Sequence, residues 1–250
     1  MAYYFVSDVH AGLMLDGEPT RSGERFAAWL DAVAPDADEI FLLGDIFDFW
    51  FEYKNAVPPG YDDILDKLAA LSARGIGLHF FPGNHDMWTL DYLSRRCGMT
   101  VHTGGYSTTL YDKNIYMEHG DIQSIGSRGE RLMQCLFRSR GARRAARALV
   151  PAGTMMRFGN RWSRSNRSKH GVVHIFRKEE EGIVRFARAY LADHPVDYFV
   201  FGHLHAPTEY RLSEQATLYV LGDWIRREGA VYGRLDREGF LLKEFRSREE

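Results

Sequence analysis

Five short polar clusters interrupt the apolar runs of this 250-residue chain: Asp8-Val9-His10, Gly44-Asp45-Ile46-Phe47-Asp48, Gly83-Asn84-His85-Asp86, His119-Gly120-Asp121 and Gly202-His203-Leu204-His205. Each brings a carboxylate, imidazole or carboxamide to the end of an apolar run. Imidazole nitrogens and carboxylate oxygens together form the mixed donor set that binds Mn²⁺, Fe²⁺ and Zn²⁺. Singly the clusters say little: Asp8-x-His10 reads equally well as a strand-end turn, and Gly83-Asn-His-Asp86 as a polar turn. Gly202-His-x-His205 says more, because histidines two apart on an extended segment project to one side. Five in succession point to one shared metal site. The sequence holds neither a G-x-x-x-x-G-K-[ST] loop nor a G-x-S-x-G elbow, which argues against P-loop NTPase and serine-hydrolase chemistry.

The elements that must position these clusters follow from the apolar runs themselves. Strands are predicted over Tyr3–Ser7, Ile40–Leu43, Leu78–Pro82, Ile115–Glu118, Tyr198–Phe201 and Leu218–Leu221, with a last one over Leu241–Phe245. Helical patterns cover Gly23–Val33, Tyr61–Ala73, Trp88–Cys97 and Lys178–Ala192. Strands alternating with helices indicate a layered α/β domain, whose functional residues gather at strand ends.

Composition sets the outer bounds. With 45% apolar and 14% aromatic residues the chain is neither disordered nor collagen-like. No apolar run reaches the roughly 18 residues of a membrane-spanning helix. The N-terminal Met-Ala-Tyr-Tyr-Phe-Val-Ser-Asp lacks the basic flank and cleavage site of a secretory signal. Two cysteines, Cys97 and Cys135, fit a reducing compartment. The net charge of -2 conceals an asymmetry: residues 122–170 hold twelve Lys or Arg and a single acid, Glu130, for +11. Arginines there alternate with Leu132, Met133, Leu136, Phe137, Leu149, Met155 and Met156, a pattern suited to an anionic amphiphile or a membrane surface. Pro151 and Gly153 divide the segment into two expected helices joined by a turn. It is read as an insertion into a single domain spanning 1–250.

As an ordered set, the clusters resemble the D-x-H, G-D-x-x-D, G-N-H-[DE], H and G-H-x-H pattern of the calcineurin-like metallophosphoesterase superfamily, over positions 8–205. The resemblance implies an α/β fold, a four-layer α/β/β/α sandwich with a helical lid insertion and two divalent metal ions at the carboxyl ends of the strands. It assigns Asp8, His10, Asp45 and His205 to one ion, and Asp45, Asn84, His119 and His203 to the other. His85 would touch the scissile phosphate, oriented by Asp86, while Asp48 and Asp121 would orient ligands by hydrogen bonds. Two such ions activate a bridging water as the nucleophile for in-line attack on phosphorus. Mn²⁺ is the expected metal; Fe²⁺ and Zn²⁺ share the ligand set.

Within the superfamily, Gly44-Asp-Ile-Phe-Asp-Phe-Trp50, Leu221-Gly-Asp-Trp224 and Asn166-Arg-Ser-Lys169 resemble the UDP-2,3-diacylglucosamine diphosphatases of the lipid A pathway. That resemblance implies a lipid-nucleotide substrate cut to UMP and 2,3-diacylglucosamine 1-phosphate. It also implies substrate contacts at Asn84, His85, Ser163, Asn166, Lys169 and His203, and a cytoplasmic protein peripheral to the inner membrane. Trp50, Phe51, Tyr53 and Trp88 follow the metal motifs and are candidates for the ligand cleft or for the core. Two positions depart from the proteobacterial pattern: His85 stands where it has arginine, and Ser127 where it has an acid. Arginine offers a fixed bidentate fork to phosphate and histidine does not. The alternatives are a phosphoesterase of another diester, nucleotide or monoester, a nuclease, and a scaffold without activity. A nuclease would want more stacking aromatics than Phe137, Phe158 and Trp162, so no nucleic acid is expected, and no protein partner. A scaffold would not be expected to keep all seven ligand positions.

Overall fold

The computed structural model describes residues 1–15, 17–53, 57–125, 129, 132, 138–151, 153–155, 157, 174–225 and 230–246. Two sheets stack face to face. The first contains β13 (Gly239–Phe245), β12 (Ala230–Asp236), β1 (Ala2–Val6), β4 (Ala37–Leu42), β5 (Gly77–Phe80) and β6 (Thr100–Val101), in that spatial order. The second runs β10 (Thr208–Arg211), β11 (Thr217–Val220), β9 (Tyr198–Phe201), β8 (Lys113–Glu118) and β7 (Tyr106–Leu110). A small hairpin, β2 (Met14–Leu15) with β3 (Glu18–Pro19), follows the first polar cluster.

Alternation along each strand builds the layers. In β1, Tyr4 and Val6 face a core under the helices α1 (Ser22–Val33), α2 (Asp62–Ala73) and α3 (Tyr92–Cys97), while Phe5 faces the opposite sheet. In β9, Val200 lies between the sheets, and Phe199 and Phe201 pack against α5 (Gly182–Leu191). Apolar residues on both faces mark strands covered on both sides. Each fully buried large side chain here contributes about 1.5–3 kcal/mol. The result is the four-layer α/β/β/α sandwich that the family resemblance implies.

Strand direction decides where the polar clusters meet. β1, β4, β5 and β6 run parallel, as do β8, β9 and β11. The clusters following β1, β4, β5, β8 and β9 therefore emerge at one end of the sandwich.

Two expected helices are shorter than their patterns. Residues 88–91 stay out of α3 because Glu52, buried beneath them, accepts from the amides of Leu90 (2.7 Å) and Tyr92 (3.0 Å). The Glu52 amide in turn donates to the Trp88 carbonyl at 3.0 Å. The stretch from Lys178 divides at Glu181, whose extended backbone separates a short turn of 3₁₀ helix from α5. The Glu181 carboxylate accepts from the Arg177 amide at 2.9 Å and fixes that break. Of the insertion, the described part includes α4 (Arg140–Leu149), capped by Ser139 and followed by Pro151. The other expected helix falls mostly outside the described residues. No helix among them is long and apolar enough to cross a membrane.

Candidate active site

Backbone geometry sets the site apart first. Asp8, His10, Asp45, His203 and His205 all adopt positive φ, between 47° and 67°. A non-glycine residue held there costs about 1–3 kcal/mol and persists only where its surroundings over-determine it. The surroundings are close-packed. A Cβ on Gly83 would stand 2.2 Å from Asp45 Oδ1, and one on Gly44 (φ 84°) would stand 2.6 Å from His119 Nδ1. Both glycines let strand ends approach more closely than side chains allow.

The side chains converge accordingly. Ligand-type atoms of Asp8, His10 and His205 lie within 4.8 Å of one another, as do those of His10, Asp45 and His85, and of Asp8, Asp45 and His119. His10 Nε2 is 3.4 Å from His205 Nε2 and 3.9 Å from both Asp8 Oδ1 and Asp45 Oδ2. His205 Nε2 is 3.2 Å from Asp8 Oδ1, and His119 Nε2 is 3.5 Å from Asp45 Oδ2. His203 joins through its ring, 5.2 Å from that of His119, while its amide donates to Asp8 Oδ2 at 2.8 Å. Asn84 Oδ1 is buried with no hydrogen-bond partner among the described residues.

These atoms fit divalent cations. His119 Nδ1 lies 2.7 Å from the Leu43 carbonyl, which can only accept, so Nδ1 carries the proton. His119 Nε2, buried and with no hydrogen-bond partner among the described residues, then faces Asp45 Oδ2 and offers its lone pair there once deprotonated. A ring nitrogen pinned to a backbone carbonyl, with its fellow aimed at a carboxylate, is the arrangement of a metal-ligating histidine. Lone pairs so close demand a positive charge between them.

The titration behaviour expresses the same demand. Burial pushes the Asp8 and Asp45 carboxyls up, but His205 for the one and His119 for the other hold both below the usual carboxylate range. Burial opposes the charged form of His119, yet Asp45 and Asp8 raise it well above an ordinary imidazole. His205, likewise buried, is raised to about 10 by Asp8 and Asp223. His10 is pushed well down by burial and by the neighbouring His85 ring, and His203 falls to about 4 by burial and His119.

The orienting residues depart from expectation. The resemblance implies that Asp86 orients His85; its carboxylate accepts from the amides of Gly83 (2.7 Å) and Ile46 (2.9 Å), joining the second and third cluster loops. Both oxygens are thereby occupied by backbone. Burial and the Asp45 charge raise the Asp86 carboxyl to about 7. The His85 ring is instead bonded to Asp48, whose carbonyl lies 2.8 Å from Nδ1 and whose carboxylate lies 4.0 Å away. That carbonyl fixes the proton on Nδ1 and leaves Nε2 as the ring's other functional atom. Asp121, buried, accepts from Arg138 of the insertion at 2.7 Å. Ser163, Asn166, Lys169 and Ser127 lie outside the described residues.

The aromatic candidates divide. Trp50 packs within the helix-side core, whereas Phe51, Tyr53 and Trp88 form a separate cluster against Ala146 and Met155 of the insertion. The Tyr53 hydroxyl donates to the carbonyl of Ala146 at 2.7 Å and contacts that of Val150. Sequence reasoning assigned no role to Asp223, whose Oδ2 lies 3.4 Å from His205 Nδ1, or to the buried Arg25 behind its loop. The signals for Asp223 were its place in the Leu221-Gly-Asp-Trp224 motif and the apolar run that Gly222-Asp223 follows, as the other clusters do.

Parallel strand ends bearing paired carboxylates and histidines suit metal-dependent hydrolysis, and the calcineurin-like phosphoesterase family model matches residues 1–207. The chain belongs to that family and is a hydrolase; the family implies divalent metal ions, for which the groups above are candidates. A UDP-2,3-diacylglucosamine hydrolase of Porphyromonas gingivalis is 38% identical over 237 residues, covering 89% of this chain and 90% of that protein. One of Stenotrophomonas maltophilia is 27% identical, covering 97% of this chain and 98% of its own length. Among solved structures, a dimetal phosphatase from Danio rerio shares the fold at a TM-score of 0.55 and 13% identity, covering 98% of this chain and 95% of that one.

Proposed function

We propose that this phosphoesterase hydrolyses the diphosphate of UDP-2,3-diacylglucosamine, releasing UMP and 2,3-diacylglucosamine 1-phosphate. The convergence of Asp8, His10, Asp45, His119 and His205 at one pole carries the hydrolytic part of the reading. Asp8, His10, Asp45 and His205 would hold one ion, and Asp45, Asn84, His119 and His203 the other, with Mn²⁺ the expected metal. When bound, such a pair lowers the pKa of a coordinated water and neutralises phosphate oxygens.

The chain's own groups do the rest. Asp45 stands between both ligand sets and fixes their separation. His85, held at Nδ1 by the Asp48 carbonyl, presents Nε2 to the phosphate and donates to it when protonated. Water adds its oxygen to the phosphorus next to uridine, and the bond from that phosphorus to the bridging oxygen breaks. The sugar 1-phosphate leaves with that oxygen. Asp86 joins the loops that carry Asp45 and His85 rather than touching substrate.

The substrate reading is supported by the name of the Porphyromonas relative and by the basic-apolar insertion lying against the Phe51–Tyr53–Trp88 cluster. In this reading Ser163, Asn166 and Lys169 contact substrate, together with Asn84, His85 and His203. The insertion's arginines hold the protein to anionic lipid at the cytoplasmic face of the inner membrane. The test is UMP release from UDP-2,3-diacylglucosamine with Mn²⁺ in detergent, beside bis-p-nitrophenyl phosphate. Fast UMP release with slow aryl-ester cleavage is expected; cleavage of the aryl ester alone would discard the lipid substrate and keep the hydrolase.

A further inference from the structure

The loop after β11 holds an acid that neither proposed ligand set includes. Asp223 places Oδ2 3.4 Å from His205 Nδ1, while its Oδ1 accepts from the Ile225 amide at 2.9 Å. The neighbouring residue clamps this loop from two sides. The Trp224 amide donates to the Asp8 carbonyl at 3.1 Å, and the Trp224 carbonyl accepts from Arg25 Nη1 at 2.6 Å. The Trp224 ring is fully buried, with ring centres 5.6 Å from Trp29 and 5.9 Å from Phe26. Arg25 is itself buried on α1, so a continuous line of contacts runs from that helix to both Asp8 and His205.

An imidazole that ligates through Nε2 must keep its proton on Nδ1. A carboxylate at Nδ1 holds that tautomer, sets the ring plane and strengthens Nε2 as a donor to metal. His205 has this division of labour: Asp223 on the Nδ1 side, and Asp8 Oδ1 at 3.2 Å on the Nε2 side. We propose that Asp223 is a positioning residue for His205, with Arg25 holding the loop that carries it, so that the two tune binding of the ion assigned to Asp8, His10 and His205. This rests on the metal-site reading given above.

The test is binding of Mn²⁺ alone to the metal-free protein, followed by the paramagnetic resonance of the unbound ion and resolved into two sites. Asp223→Asn keeps the oxygen that accepts from Ile225 and replaces the charged acceptor facing His205 Nδ1 with an uncharged N–H donor. It is expected to weaken one of the two Mn²⁺ sites by about 10- to 100-fold and to leave the other, and the melting temperature, as in the unaltered protein. His205→Ala should abolish that same site, and adding Asp223→Asn to it should change nothing more. Arg25→Met should weaken the same site, and Arg25→Lys should restore it. If Asp223→Asn binds both ions normally while His205→Ala loses one, the inference about Asp223 is wrong and the metal site stands; equal weakening of both sites overturns it as well. If His205→Ala binds both ions normally, the metal-site reading itself fails. Should Arg25→Met not fold, the Asp223→Asn comparison decides alone.

Discussion

The polar clusters from Asp8 to His205 are largely buried and joined to one another, whereas the described part of the insertion meets the sandwich at its margins. At the rim, Asp86 joins two loops through the amides of Gly83 and Ile46, and Asp8 reaches the amide of His203 across 195 residues of sequence. Five left-handed backbones are held there. In the insertion, the described attachments to the sandwich include the Arg138–Asp121 pair, Gln123 on Glu118 at its start, the Tyr53 hydroxyl against the end of α4, and Ala146 and Met155 against the aromatic cluster. Leu149 remains 82% exposed. On the proposed reading, the contrast makes the reaction and the choice of substrate separable. A defect at the rim should be felt by every phosphoester, and a defect in the insertion only by a substrate long enough to reach it.

The harshest way to strain that separation is Asp45→Ala. Asp45 faces His10 and His119 and accepts from the amide of His85, so its loss removes the ligand proposed to be shared and loosens the His85 loop. We expect turnover of lipid and aryl substrates alike to fall by about 10³-fold or more, beyond the loss of a single electrostatic donor. Bound metal, measured by elemental analysis, should fall with it. Retained metal would mean that the two ion sites do not share this residue.

Acid should act on the rim in the same undiscriminating way. His119 and His205, raised by neighbouring carboxylates, hold protons at neutral pH until an ion displaces them, so each binding event releases a proton. Affinity therefore rises with pH, about tenfold per unit for each displaced proton, and for the His205 site the rise ends near pH 10. His10 and His203, already neutral, add nothing to the slope. Calorimetric titration with Mn²⁺ in buffers of different ionisation enthalpy counts the protons. A count of zero at neutral pH would contradict the electrostatic account of the site.

His85→Ala probes the rim without touching the ions' principal ligands. Turnover should fall by about 10²-fold on both substrates, the scale of one preorganised donor, while metal content stays. Asp48→Asn should do less, because the backbone carbonyl that fixes the ring survives the substitution.

What was legible in the sequence follows the same division. The clusters from Asp8 to His205 could be read because each follows a run such as Tyr3–Val6 or Phe199–Phe201, and parallel strands bring all such ends to one pole. The fold class followed from the same runs. The orientation of His85 could not be read, because the bond comes from the carbonyl of Asp48, which every residue possesses. Arg25 was equally hidden: its contact with Trp224 spans 199 residues and depends on how α1 packs. The late start of α3 was missed because the residue that delays it, Glu52, belongs to a different loop. Local patterns place side chains at strand ends; tertiary packing decides which atoms they meet there.

The mildest perturbation separates the two regions best. Tyr53→Phe keeps the ring in its cluster with Phe51 and Trp88 but deletes the hydroxyl that bonds the Ala146 carbonyl and contacts Val150. The lost bond is worth about 1 kcal/mol, and none of it falls on the ligands. Activity on bis-p-nitrophenyl phosphate should therefore stay within twofold. The lipid substrate, if the insertion binds it, should show a rise in KM of about fivefold, the equivalent of 1 kcal/mol, with kcat nearly constant. An equal fall on both substrates would show that the insertion supports the metal ligands directly, and the separation of reaction from recognition would be lost. A change confined to the lipid would sharpen it to a single hydroxyl at the end of α4.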